Sequence, residues 1–278
     1  MKNHKYETVD MLRVKDLVRA SSPLIHCITN HISINDCANA VLAVGARPIM
    51  AEHPLEVNEI TSLSKSLAVN LGNINDSRME AMLISGKAAH ENNIPCVIDL
   101  VGVGCSQLRL NYANKFIRKC KPNIIKGNIS EIKAICGKEN DSKGIDSGSK
   151  DSITAIPPEE ILDMLTEFAQ NMGAIVVATG VIDIISDGNS VYILKNGCEK
   201  LSSVTGTGCM LNCLIASYAT SRDYMLSAIS AVALMGICGE LSSNAIGCGS
   251  FRTELLDNLS NISDEVFLDK IKFIKIEY

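Results

Sequence analysis

Residues 204–211, Val-Thr-Gly-Thr-Gly-Cys-Met-Leu, set two glycines, Gly206 and Gly208, against the start of a long apolar run. Glycines so spaced let successive backbone N–H groups turn toward one point, and a helix beginning there adds the positive end of its dipole. That makes an anion hole, suited to a phosphate in transfer or to an oxyanion developing in a transition state. A plain glycine-rich helix start fits the same letters. Thr207 and Cys209 lie within the bend, and the first-turn position predicts a Cys209 thiol pKa drawn downward. Two roles stay open for Cys209: a covalent nucleophile, or a polar group aimed at a substrate hydroxyl. No histidine stands nearby in sequence to activate it, and no two of the eleven cysteines stand in Cys-x-x-Cys spacing.

A second set of groups lies upstream. Asp99 closes an apolar run just before the glycines of 102–104, and "KGNISEI" (126–132) opens a helix with Asn128 and Glu131 three apart. Asn followed by Glu at that spacing is an ordinary capping arrangement. The functional reading is that Asp99 and Glu131 face one crevice and hold Mg²⁺ through water beside nucleotide phosphates. Lys126 would meet a phosphate as a point charge, or else be an ordinary surface lysine. The familiar nucleotide signatures are absent, since there is no G-x-x-x-x-G-K-[ST] and neither "GVGCSQ" nor "GTGCML" has the third glycine of a dinucleotide loop. The histidines at 4, 26, 31, 53 and 90 form no metal-ligand spacing.

Elements that could position these groups recur along the chain as a short apolar run, a turn, then a helical pattern. Strands are expected at 23–28, 47–51, 67–72, 95–100, 122–127, 174–180, 181–186 and 190–197. Helices are expected at 33–45, 75–93, 107–119 and 128–136, with the chain almost wholly helical from 206 onward. Apolar strands alternating with amphipathic helices imply a three-layer α/β/α fold with a mainly parallel sheet, and the close-set strands near 174–195 an antiparallel edge. Ligands in such folds bind beyond the carboxyl ends of the strands. The polar stretch 137–152 reads as a surface loop, and residues 1–278 as a single domain.

Bulk properties narrow the partners. The chain has 278 residues, 46% hydrophobic and 4% aromatic, with no Trp, which argues against a carbohydrate groove or a base-stacking platform. A formal charge of −5 excludes a general basic field, so phosphates must be met by backbone amides, a few placed cations and a metal, and nucleic acid is not expected as a partner. Scattered cysteines, a polar N-terminus and no uninterrupted apolar run of about 18 residues imply reduced thiols, no membrane span and a cytoplasmic protein.

Residues 22–57 ("SPLIHCITNHISINDCANAVLAVGARPIMAEHPLEV"), "LAVNLGNI", "VIDLVGVGC", "IKGNISEI", "VVATGVIDIISDG" and "VTGTGCML" resemble, in order and spacing, the hydroxyethylthiazole kinase family of the ribokinase-like superfamily, over about residues 10 to 258. The resemblance implies ATP-dependent phosphorylation of the primary alcohol of 5-(2-hydroxyethyl)-4-methylthiazole in thiamine salvage, with Mg²⁺, by a homotrimer with pockets between subunits. It places Asn30, Met50 and Gly206 at the thiazole, Lys126 and Thr179 at ATP, Asp99 and Glu131 in the metal region, and Cys209 where ribokinase relatives carry an aspartate base. Unaided, Asn30 reads as a turn residue, Met50 as core and Thr179 as a strand-end hydroxyl. Three residues depart from the family pattern. Lys126 stands for an Arg, Leu100 for a Pro, and Cys248 for the Pro of a Gly-Pro-Gly turn, which predicts a looser loop there. The rivals are a kinase of a pyrimidine alcohol or sugar, a non-catalytic thiazole or nucleotide sensor, and a cysteine-dependent hydrolase or redox enzyme.

Overall fold

Apolar runs between turns become strands in a computed structural model that describes residues 6–138 and 157–277. From residue 139 on, the polar stretch expected as a surface loop lies outside the described residues. The elements run α1 (Thr8–Ser21), β1 (Leu24–Ile28), α2 (Ile34–Ala43), β2 (Arg47–Ile49), α3 (Val57–Leu63), β3 (Ser66–Asn70), α4 (Asp76–Glu91), β4 (Cys96–Asp99) and α5 (Gln107–Cys120). They continue with β5 (Ile124–Asn128), α6 (Ile129–Ile135), α7 (Glu159–Met172), β6 (Ile175–Thr179), β7 (Asp183–Ser186), β8 (Ser190–Leu194), α8 (Lys200–Ser203), α9 (Thr207–Ala219), α10 (Tyr224–Leu241), α11 (Cys248–Asn261), α12 (Asp264–Lys270) and β9 (Phe273–Glu277).

The strands form one nine-stranded sheet in the order β2-β1-β3-β4-β5-β6-β7-β8-β9. Pairing is parallel from β2 through β6 and antiparallel from β6 to β9, so the expected antiparallel edge is present. β9 is an addition, because the tail was expected to be helical. Its apolar and charged residues alternate over only four positions, 274–277, and pairing with β8 fixes it as an edge strand. One face is covered by α1, α2, α9, α10 and α11, the other by α4, α5 and α7, each over its own apolar core. α10 is long and apolar, with a mean hydropathy of 1.6 over its 18 residues, but Gly236, Gly239 and Glu240 interrupt the run, as expected. That apolarity is explained by position, since 83% of the helix is buried inside the protein.

Chain direction across the sheet reverses once among the parallel strands. β1 leads outward to β2, and the chain then crosses back over β1 to β3 and proceeds the other way. The crevice between the exits of β1 and β3 is therefore the topological switch point, where ligands of open α/β sheets bind. Cys27, Ala68, Val97 and Ile124 form an apolar row on the face toward α9, by the register of β1, β3, β4 and β5. Two residues further along each strand the same face carries Thr29, Asn70, Asp99 and Lys126. The core gives way to a polar row at the strand exits.

Candidate active site

The row is one hydrogen-bonded unit. Lys126 Nζ donates to Asp99 Oδ2 at 3.0 Å, and Asn70 Nδ2 donates to the same oxygen at 3.0 Å. Asn70 Oδ1 accepts the Gly72 N–H at 2.7 Å, which fixes the amide so that its donor end faces Asp99. From there Nδ2 also reaches Cys209 Sγ, at 3.4 Å. Burial pushes the Asp99 carboxyl up, to about 6, against the pull of Lys126 and Asn70. Burial alone would lower Lys126, but Asp99, with Glu131 and Cys209 behind it, outweighs burial and the amine is raised. At neutral pH both are charged, and the ammonium uses one of its three N–H groups on Asp99.

The 206–209 bend lies over this row. Gly206 is in the left-handed region at φ +93, and a Cβ there would come within 2.6 Å of Ser33 Cβ, so both backbone conformation and close approach require glycine. It supplies no side-chain cap to α9, whose first internal bond runs from Met210 N–H to the Gly206 carbonyl. The amides of Thr207, Gly208 and Cys209 precede that bond, as donors of a helix start do. The Thr207 hydroxyl is turned back onto the Leu201 carbonyl at 2.7 Å, which anchors the bend and leaves the amides as its polar face. A Cβ built on Gly208 would stand 3.6 Å from Lys126 Nζ. Amide dipoles and an ammonium thus meet at one place.

Cys209 differs from its expected state. Burial first, and the Asp99 charge second, push its thiol up from the usual value, although a Ser33 hydrogen bond and Lys126 pull the other way. The helix start does not win because the residue is only 7% exposed. A protonated thiol is no covalent nucleophile, and of the two roles left open by the sequence the positioning one fits.

Glu131 takes up its capping role in full. Its Oε2 accepts the Asn128 N–H and its Oε1 the Gly102 N–H, each at 2.8 Å, while Asn128 Oδ1 caps the Glu131 amide at 2.8 Å. The carboxylate therefore ties the start of α6 to the loop after β4, and its charge is felt at Asp99. No group of three or more His, Cys, Asp and Glu able to hold a metal occurs among the described residues. The donor set does suit a hydrated Mg²⁺ carried mainly by phosphate oxygens. Asp99 Oδ1 is buried without a hydrogen-bond partner, and each Glu131 oxygen keeps a second lone pair.

On the other side of the switch point, Asn30 Oδ1 accepts the Ile32 N–H at 2.9 Å, the turn role its type suggests. Its Nδ2 lies 2.8 Å from where a Gly72 Cβ would be, so the β1 and β3 exits touch at that glycine. Met50 is half-buried against the α9 core just past β2. The buried His26 fixes that stretch, its Nε2 donating to the Ala51 carbonyl at 2.8 Å and its Nδ1 accepting from the Thr61 hydroxyl at 2.8 Å. Thr179 pairs with Asn128 at the exit of β6, its hydroxyl 3.4 Å from the Gly127 carbonyl. Asn70 is the member the sequence reading passed over. An Asn two residues after a buried Ala at a strand end was the available signal.

Two of the departures become intelligible here. Leu100 donates its N–H to the Lys126 carbonyl at 2.8 Å, a bond no proline could make, and so locks the Asp99 strand exit to that of Lys126. Cys248 is the first residue of α11, and Gly247 precedes it in extended conformation at φ −152. Proline is welcome at a helix's first position for its preset φ, but the helix forms without it. The expected looser loop is instead an intact helix start.

Comparison with known proteins fixes the class and then the family. The pyridoxal kinase from Staphylococcus aureus in complex with ADP superposes at a TM-score of 0.63 and 13% identity, over 92% of this chain and 98% of that one. The fold is that of the ribokinase-like kinases. The profile described as "Hydroxyethylthiazole kinase family" matches residues 16–265, and this chain belongs to that family. A relative from Clostridium botulinum (strain Hall), "Hydroxyethylthiazole kinase 2", is 60% identical over 261 residues, covering 94% of this chain and 98% of its own length. The structure of the hydroxyethylthiazole kinase from Pyrococcus horikoshii OT3 superposes at a TM-score of 0.86 and 29% identity, over 97% of this chain and 100% of that chain.

Proposed function

We infer that this chain, read as one kinase domain over 1–278, transfers the γ-phosphoryl group of ATP to the primary alcohol of 5-(2-hydroxyethyl)-4-methylthiazole, making the thiazole phosphate of thiamine salvage. Beside family membership, the observation that carries this reading is the Asn70–Asp99–Lys126 row beneath the open amides of the 206–209 bend. Phosphoryl transfer asks a protein mainly for alignment and charge neutralisation, and this arrangement supplies both.

Phosphates of ATP lie across the strand exits, met by the free N–H groups of Lys126 and by the Thr179 hydroxyl. The thiazole ring rests on Met50 beside Asn30, with its hydroxyethyl arm directed at Gly206–Cys209. The alcohol oxygen bonds to the γ-phosphorus as the bond from phosphorus to the β-phosphate oxygen breaks, and ADP departs. The bend's amides stabilise charge on the phosphoryl oxygens in flight. Asp99 and Glu131 would hold Mg²⁺, which when bound neutralises phosphate charge. Cys209, kept neutral, orients the hydroxyl between the Asn70 amide and the bend. In a loose transition state the alcohol proton leaves late, onto an oxygen of the transferred phosphoryl group or onto water, so little base strength is needed.

A homotrimer with pockets between subunits, and a cytoplasmic setting, complete the proposal. Ile32 and Leu55, 64% and 90% exposed, lie two residues from Asn30 and five from Met50, apolar side chains that a neighbouring copy would cover at the thiazole side. All the cysteines are free thiols, which a reducing compartment maintains. The test is ADP release measured side by side with hydroxyethylthiazole, a hydroxymethylpyrimidine and ribose, on a preparation sized by light scattering. Turnover with the thiazole alcohol and a mass about three times 29.9 kDa are expected. Release with the pyrimidine alone would move the chain to the rival kinase, and a fully active monomer would end the shared-pocket reading.

A further inference from the structure

One large buried charge has no part in the reaction above. Arg78, in the first turn of α4, is 1% exposed and among the largest side chains the fold buries completely. Its Nη1 donates to the carbonyls of Gly72 and Asn73, each at 2.8 Å, and its Nη2 to the carbonyl of Thr29 at 2.6 Å. Nε lies 3.3 Å from Glu52 Oε2, an ion contact without hydrogen-bond alignment. Glu52 in turn holds His31 Nε2 at 2.8 Å.

These partners come from three separate exits: Thr29 from β1, Glu52 from beyond β2, and Gly72 with Asn73 from β3. The strands are neighbours in the order β2-β1-β3, so the guanidinium spans both sides of the switch point. Thr29 immediately precedes Asn30, Glu52 follows Met50 by two residues, and Gly72 is wedged between the Asn30 and Asn70 side chains. An apolar side chain of similar volume would fill the same space without burying a charge, so packing alone does not account for an arginine here. What only a rigid fork of donors provides is simultaneous registration of carbonyls from separate loops.

We propose that Arg78, steadied by Glu52, is a positioning residue for the alcohol substrate. It sets the spacing of the Asn30 and Met50 walls and thereby the affinity for the alcohol, and it makes no bond to the Asp99 and Lys126 side chains of the nucleotide side. The inference rests on the kinase reading. Lysine offers a point charge in place of the fork, so Arg78→Lys is expected to raise KM for hydroxyethylthiazole about 30-fold. KM for ATP should stay at the wild-type value, because Arg78 makes no hydrogen bond or ion pair to Lys126, Asp99 or the bend. Glu52→Gln, at a side chain 35% exposed, tests the same network without risk to the core and should raise the alcohol KM about threefold.

Steady-state kinetics with each substrate varied separately reads the split. Native alcohol KM in both variants, or a parallel rise in both KM values, overturns the proposal. If Arg78→Lys does not fold, Glu52→Gln decides alone. A wild-type chain inactive on hydroxyethylthiazole sinks the kinase assignment instead, and the same split is then measured on whichever alcohol it does phosphorylate.

Discussion

Asp99→Asn is expected to lower kcat on the order of a thousandfold, measured as ADP release with both substrates saturating. The change is nearly isosteric, so the loss reports charge. Asp99 Oδ2 receives both Lys126 and Asn70, and its unpartnered Oδ1 is the oxygen best placed for a hydrated metal. The amide also leaves the Lys126 ammonium buried without its bonded counter-charge, at 3% exposure. Breaking one side of a buried pair costs about 3 kcal/mol or more, so the urea midpoint should fall as well. A control separates the two effects. In Asp99→Asn combined with Lys126→Met both charges are gone, and stability should return most of the way while activity does not. Full turnover of Asp99→Asn at ordinary Mg²⁺ would remove the carboxylate from the site.

Much of the fold was legible because a parallel sheet writes its strands as apolar runs, and eight of those expected appear at nearly the expected positions. β9 escaped because four residues of alternation after a helical stretch look much like its continuation. In the site, Asp99, Lys126 and the glycines announced themselves by type and by standing at strand exits. Asn70 did not. Its neighbours are set by the register of β3 against β4 and by the approach of α9, and neither is written in the local sequence. Arg78 was hidden for a related reason, since a polar residue in the first turn of a helix gives no hint that it points inward to three carbonyls. The expected lowering of the Cys209 pKa took account of the helix start alone. Burial depends on how α9 settles onto the sheet, and burial dominates.

Cys209 carries the second large effect. Cys209→Leu is expected to lower kcat about a hundredfold while KM for ATP is retained, because it deletes the group between the Asn70 amide and the hydroxyl but none of the phosphate contacts. Cys209→Asp should retain or raise kcat. Its carboxylate would accept from Asn70 Nδ2, and the nearby Asp99 charge would push its pKa upward, toward the range where a carboxylate works as a base at neutral pH. The acid limb of the kcat profile should then move with the substitution. Asn70 supplies the cross-check. If it acts through the sulfur, Asn70→Ala should slow the wild type but add little to Cys209→Leu, the non-additivity expected of two groups in one unit. Wild-type turnover in Cys209→Leu would leave the sulfur with no catalytic part. The transferred group would then be held by the amides of the bend, Lys126 and Thr179 with no help from the thiol.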